Sequence, residues 1–425
     1  MDMISQLPDE LLLRILSLLP TAKDVVATMV WSKRWQFLWM FVPRLVYDDS
    51  YQIIENGSFW TFVDRSLLVH KAPVLETLHF KLGKICGSGD IPVWIRAADK
   101  CCVRELIMEI NTPSSNETPV TLPRSLITCC KMLVTLKLRN AVLVDDVSSP
   151  ISFPSLKKLS LISMKYLGGD DFLNRLISSC LILEDLVVEQ ILNDNVAILI
   201  VRVPCLKSLV LHQKQKKAVK GKANGFVIDT PALECLEIAY FSRGFHIVEN
   251  DMPNIVKANV HIYHRQTAKL LGSITLAKHL YLCVPTSKNA YPVGSIFCCL
   301  VRLEICTCHT DWLNLLMCIL SDSPKLQSLI LDRYHKLRPS EPRPCWNEPS
   351  SVPECVLSSL KTLEWVKYEG TEEEKEVAAF ILRSARCLKK ATIISPKSLN
   401  SHKKLEMLKE LSLMPRCSPC QLQFD

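Results

Sequence analysis

Apolar positions along the chain follow two periods. Near the start they crowd at helical spacing, with Leu11, Leu12, Ile15, Leu16, Leu18 and Leu19 following Pro8, Asp9 and Glu10. Pro8 suits a first helical position, because its missing N–H has no intrahelical partner there. Asp9 and Glu10 place negative charge at the positive end of the helix dipole, and Pro20 ends the run. Thr21 and Asp24 read as a capping box for a second helix. Ser32 reads as the cap of a third, carrying Trp35 and Trp39 on one face. Such a helix is more apolar than one stripe of a surface helix requires. Three helices in about forty residues bury little by themselves, so the unit should place its apolar excess on something else. The plain alternative is an N-terminal cap on the domain that follows.

A helix over Phe59–Leu68 comes next, and from Leu75 the period changes to Leu-x-x-Leu-x-Leu. Clear copies start at Leu75, Val103, Leu133, Leu156, Leu183, Leu206, Leu233, Leu300 and Leu326, with weaker ones at Ile255 and Ala277. Successive copies lie 22 to 30 residues apart, close to the roughly 20–29 of leucine-rich repeats. Each copy predicts a short strand whose alternating leucines point inward. One repeat cannot bury its apolar face alone, so neighbours stack into a parallel sheet. A cysteine or proline often precedes the first anchor, as Cys180 precedes Leu183 and Pro204-Cys205 precede Leu206. Residues between the leucines face outward. That column runs through Lys137, Ser160, Val187, Val210, Glu237, Tyr281, Glu304 and Ile330, and Val187, Val210, Glu237, Tyr281 and Glu304 are its candidate binding residues.

From Arg338 a proline-rich stretch marks a boundary. A strand follows at Leu360-x-x-Leu363-x-Trp365, then a capping box at Thr371 and Glu374 opening an amphipathic helix. Further strands are expected at Leu388–Ile393 and Leu408–Leu413.

Composition narrows the function. The 425 residues are 48% hydrophobic and carry a net charge of +8, with 43 acidic residues interspersed among 51 basic ones. This suits two or three folded domains and argues against disorder. It predicts neither a membrane span nor a signal peptide, and gives weak grounds for nucleic-acid contact. The Asn56 and Asn116 sequons are then idle. Nineteen cysteines without a secretion signal are expected to be free and buried. The paired cysteines 101/102, 129/130 and 298/299 are expected to point to opposite faces. With 12 glycines the chain has no phosphate-binding loop fingerprint, and those at 83, 87 and 89 read as loop. No nucleophile-elbow or zincin motif occurs. Cys306, Cys308 and His309, with Cys417 and Cys420, are the metal candidates, but the pairs lie over a hundred residues apart. The expectation is therefore no metal, no redox pair and no cofactor. The basic run Lys214–Lys222 reads as a solvated loop, with a nuclear import signal or acidic-partner patch as the alternative.

The order Leu7-Pro8-Asp9-Glu10, the leucine-rich helix, the Pro20 break and Ser32-Lys33-Arg34-Trp35…Leu38-Trp39 resembles the F-box of plant proteins. Trp31 departs from that pattern, which usually has a smaller apolar residue there. The tail resembles the FBD region through Trp346, Pro349, Val352-Pro353, Cys355, Leu357, Leu363, Trp365, Tyr368-Glu369-Gly370, Glu373, Leu382, Leu388-Lys389-Lys390 and Ile393. The whole chain resembles the plant F-box/FBD/leucine-rich-repeat family. The implied fold class is α/β: a three-helix F-box (1–48), a helical connection (49–74), an irregular leucine-rich-repeat solenoid (75–337) and a closing FBD region (338–425). The implied function is the substrate-recognition subunit of a Skp–cullin–F-box ubiquitin ligase, non-catalytic, in cytoplasm and/or nucleus. Leu7, Pro8, Leu12, Ile15, Leu16, Val26 and Trp35 are the residues carried over for docking the Skp-type adaptor, and through it the cullin. The repeats would bind an unknown protein substrate. The alternatives are a leucine-rich scaffold that does not dock a ligase, and a nuclear regulatory or nucleic-acid binder using Lys214–Lys222. No ring of inward basic residues suggests a small hormone or inositol phosphate ligand.

Overall fold

The Leu-x-x-Leu-x-Leu copies form parallel strands, with both anchor positions of most copies buried. The structure is a computed structural model describing residues 4–49, 58–83, 91–111, 120–144, 150–190, 195–213, 224–240, 244–262, 267–284, 291–292, 294–309, 312–335 and 346–425. The Lys214–Lys222 run, the asparagines of both glycosylation sequons and glycines 87 and 89 lie outside the described residues. The chain divides into two compact units, residues 1–206 and 207–425.

The first unit opens with α1 (Asp9–Ser17), α2 (Ala22–Ala27) and the single-turn α3 (Trp35–Leu38). Pro8 stands one residue earlier than the sequence suggests: it is the N-cap, and its carbonyl accepts from the N–H groups of Leu11 and Leu12. The Thr21–Asp24 capping box forms in full. Ser32 does not cap α3 through its side chain; Arg34 holds the cap position, and only the Ser32 carbonyl takes part, accepting from Gln36 N–H. Leu12, Leu16, Val25, Trp35, Leu38, Trp39 and Val42 form one buried cluster. Arg34 ties the ends together, donating to Leu7 O at 2.6 Å and to Asp9 Oδ1.

The helices run straight into the sheet. Strand β1 (Arg44–Asp48), inside the span read as F-box, pairs in parallel with β2 (Thr77–Leu82). β3 (Glu105–Ile110), β4 (Thr135–Arg139), β5 (Lys158–Ile162) and β6 (Asp185–Gln190) follow in chain order. Arg44 Nη1 donates to Ser17 O at 3.0 Å, and Lys71 and Ala72 N–H both donate to Met40 O. These bonds fix the helical unit to the first repeat. The helix Ser58–Val69 packs there too, with Tyr47 stacked on Phe80 and Phe80 on Trp94.

In the second unit β7 (Ser208–Gln213), β8 (Cys235–Tyr240), β9 (Lys257–Ile262), β10 (His279–Cys283), β11 (Arg302–Cys306) and β12 (Ser328–Asp332) pair in sequence. β13 (Thr362–Val366), β14 (Lys390–Ile394) and β15 (Gln421–Phe424) complete the order. The register is set by the leucines: Leu209, Leu236, Ala258, Leu280, Leu303, Leu329 and Leu363 oppose one another in turn. The Leu408–Leu413 strand is a correction. Those residues end the helix Ser401–Leu413, whose N-cap Asn400 accepts from Lys403 N–H, and the last strand is β15. Leucines three and five apart fit a helix as well as a strand; the Asn400 cap decides.

The cysteines also correct a detail. Residues 101/102, 129/130 and 298/299 sit in turns and loops, not strands, and the Cys298 and Cys299 sulfurs are 3.8 Å apart. All cysteines among the described residues are free thiols. Cys180 and Cys355 fill corners and donate to the Leu176 and Leu320 carbonyls. Burial pushes Cys180 up to about 11 and Cys130 and Cys355 up to about 12, which keeps these thiols neutral and unreactive.

Candidate functional sites

The N-terminal helices separate the residues assigned to docking into two groups. Leu12, Leu16 and Trp35 are buried in the unit's own core. Leu7 and Val26 are half-buried against that core. Pro8 and Ile15 are exposed. Sequence reasoning missed the surface that remains. Leu11 and Ile15 on α1 and Leu18 at its C-cap fall at i, i+4 and i+7 and are 43%, 40% and 82% exposed, forming one solvent-facing stripe. It runs one residue out of phase with the buried Leu12–Leu16 stripe, so both are legible in the sequence but indistinguishable by hydropathy. Val30, Trp31 and Phe37 add further exposed apolar surface. Trp31, the departure noted in the sequence, lies edge-on against Trp35 and stays 64% exposed, so it does not disturb the core.

On the sheet, the outward column is where alternation places it. In the first unit Ile107, Lys137, Ser160 and Val187 align across β3 to β6. In the second, Val210, Glu237, Asn259, Tyr281, Glu304 and Ile330 align across β7 to β12. Asn259 was missed because its repeat has Ala258 in place of leucine. Ile330 is a correction: it is buried, beside Glu304 whose carboxylate accepts from the Tyr334 hydroxyl, so the open column is interrupted at β12 and resumes at Glu364 on β13. Val187 and Val210 belong to different units.

The second unit holds a groove of about 620 Å³ on this face, lined among others by Glu237, Asn259, Tyr281, Glu304 and Tyr334. Its walls form rows. Lys257, His279 and Arg302 align at the strand starts and are exposed. Tyr281 meets Tyr334 edge-to-face at 5.2 Å, and Lys367 Nζ lies 5.4 Å from the Tyr334 ring centre. Glu237 accepts from or shares a proton with His212 Nε2 at 2.9 Å. Burial pushes the Tyr281 and Tyr334 hydroxyls above the ordinary phenol range, so both act as neutral donors and apolar surface. Aromatic walls with a cationic edge suit a peptide segment carrying aromatic and acidic side chains.

A third feature sits at the far ends of β10 and β11. The Cys283 and Cys308 sulfurs are 3.6 Å apart, and Cys283 Sγ lies 3.9 Å from His309 Nε2. Cys306 packs in the same buried cluster, with Tyr281 against it. Hydrogen bonds from Cys283 and then Cys308 hold the Cys306 thiol well below its usual range, and the same sharing drives Cys283 up. The sequence reading set a metal aside because Cys306, Cys308 and His309 lacked a nearby partner pair. The fold supplies the partner from the preceding repeat, as Cys283, while Cys417 and Cys420 belong to the last turn before β15. Only pairing between repeats reveals this.

The tail builds its own aromatic core. Trp365 packs edge-on against Trp312 and Tyr368, and Trp346 against Phe380. The buried Glu374 accepts from the N–H groups of Glu369 and Thr371, fixing the turn into the helix Glu372–Ser384.

Comparison with known proteins agrees with this division. An F-box-like family model matches residues 4–39. One built on the leucine-rich repeats of FBD-associated F-box protein At5g56370 matches residues 91–242, and an FBD model matches 348–393. The chain is 64% identical over 427 residues to the probable FBD-associated F-box protein At1g32375 of Arabidopsis thaliana, covering 100% of both. It is 58% identical to the putative FBD-associated F-box protein At5g56390, covering 100% of this chain and 99% of the other. It is 49% identical to the F-box/FBD/LRR-repeat protein At5g56420, with the same coverage; both are also from Arabidopsis thaliana. An F-box joined to leucine-rich repeats fits a substrate-recognition role in ubiquitin ligases of the Skp–cullin–F-box type. With relatives this similar along its whole length, the chain belongs to the family of FBD-associated F-box proteins.

Proposed function

We propose that the chain is the substrate receptor of a Skp–cullin–F-box ubiquitin ligase. The observation that carries this is the stripe of Leu11, Ile15 and Leu18, left in solvent on a unit whose own core is already closed. Exposed apolar side chains at helical spacing gain by docking on a partner of complementary shape, and an F-box places a Skp-type adaptor there. The groove around Tyr281 and Glu304 takes the protein substrate. The FBD strands close the C-terminal end of the repeats as a solenoid. Ubiquitin transfer is performed by other subunits, and this chain acts by positioning, in the cytoplasm, the nucleus or both. The test is co-purification of the full chain with a Skp-type adaptor and cullin. A stable complex that is lost on replacing Leu11, Ile15 and Leu18 by serine supports the reading. Folded chain that captures neither protein would leave an interaction scaffold in its place.

A further inference from the structure

We propose that Cys283, Cys308 and His309, with Cys306 packed beside them, form a binding site for a soft divalent metal ion of the zinc class. This goes beyond the ligase reading and does not depend on it.

Cys283, Cys308 and His309 offer three donor atoms that lie within 4.8 Å of one another, spaced as three corners of a tetrahedral site would be. Zinc bonds of about 2.3 Å to sulfur and about 2.0–2.1 Å to imidazole nitrogen set tetrahedral edges of roughly 3.8 Å between sulfurs and roughly 3.6 Å between sulfur and nitrogen. The two measured edges are 3.6 Å for Cys283 Sγ to Cys308 Sγ and 3.9 Å for Cys283 Sγ to His309 Nε2. One ion could sit between these atoms with little movement of the backbone.

The fold brings the donors together by a simple route. Leu282 and Ile305 oppose each other on β10 and β11, so Cys283 and Cys306 leave the two strands side by side. The chain then turns at once: Thr307 N–H donates to Asp332 O, and Trp312 N–H to His309 O. That turn returns Cys308 and His309 over Cys283. The other buried cysteines behave differently. Cys180 and Cys355 each donate to a backbone carbonyl, of Leu176 and Leu320. Here thiols face thiols and an imidazole, a soft donor set that favours zinc over magnesium or calcium. Cys283 also lies within reach of His261 and His335, giving a second ring of nitrogen donors around the same sulfur.

On binding, the thiols lose their protons to solvent and bond to the metal as thiolates, with no change of oxidation state. The ion would clamp the ends of β10 and β11, directly beneath Tyr281 of the groove.

The test uses the full chain, purified under reducing conditions and freed of metal, then titrated with zinc(II) or cobalt(II) and desalted. One equivalent of zinc should stay bound, and cobalt(II) should give the strong visible and charge-transfer bands of a tetrahedral thiolate site. Cys283→Ser and Cys308→Ser should each lower retention at least tenfold, while Cys318→Ser, at an exposed cysteine outside the cluster, should leave it unchanged. His309→Ala should weaken binding at least tenfold, and His309→Cys should restore it. Because a cluster variant can fail to fold, the wild-type chain gives a second readout: Cys283, Cys306 and Cys308 should become open to alkylation only after a chelator is added. The proposal is overturned if the wild-type chain retains no zinc, if retention is unchanged in the two serine variants, if the cobalt spectrum is octahedral, or if protein alkylated at lysis carries a Cys283–Cys308 disulfide.

Discussion

Replacing Leu11, Ile15 and Leu18 together by serine should separate docking from folding. Fully burying one leucine or isoleucine side chain is worth about 1.5–3 kcal/mol. Scaled by the surface that each leaves in solvent, the three can contribute about 2.5–5 kcal/mol when a partner covers them. Their loss should weaken adaptor binding roughly 10²- to 10⁴-fold. Each change on the surface alters folding by only about 0.5 kcal/mol. Leu16→Ala, one residue from Ile15 but in the core, should instead cost about 2–5 kcal/mol of stability. The assay pairs calorimetric titration of a purified Skp-type adaptor into each variant with urea unfolding of the same samples. The reasoning fails if the triple variant binds as tightly as wild type, or if its urea midpoint falls as far as that of Leu16→Ala.

Three other outcomes follow from the geometry. Tyr281→Ala combined with Glu304→Gln should lower capture of substrate at least tenfold, leaving adaptor affinity unchanged in a pull-down scored for both; equal loss of both partners would mean that the groove variant unfolds. His70, with both ring nitrogens buried and unbonded, has its affinity for protons lowered by burial from 6.5 to about 4. The unfolded chain therefore binds the extra proton between those values, so this contribution is complete above pH 6.5 and drains away as pH falls toward 4. It amounts to about 2 kcal/mol between pH 7 and 5, and urea midpoints of His70→Gln should show a shallower acid slope than wild type. Gly370 has φ of +68°, and a Cβ there would sit 3.0 Å from Met407 Cγ. Gly370→Ala should thus destabilise the second unit by about 1–2 kcal/mol, which a thermal melt would reveal.

The strand face was legible because period two carries both burial and register: Leu209 is buried and Val210 is not, as their alternation requires. The exposed apolar stripe of the first helix was only half legible. Helical hydropathy marks Leu11, Leu12, Ile15 and Leu16 alike, and the packing of Trp35, Leu38 and Val42 decides which pair is covered. The Leu408–Leu413 error has the same root, since three leucines in six residues satisfy two periods and the deciding cap lies eight residues upstream. The cysteine cluster was hidden for a different reason. Its members come from two repeats 23 residues apart, and spacing along one chain cannot show which strand ends meet.

The receptor reading is tested most directly by following one captured protein in cells. The full chain should bring down, under proteasome inhibition, a protein that carries ubiquitin chains. The serine variant at Leu11, Ile15 and Leu18 should bring down the same protein unmodified, and its half-life should lengthen when that variant is expressed in place of wild type. Equal ubiquitination and equal turnover with both chains would contradict the account.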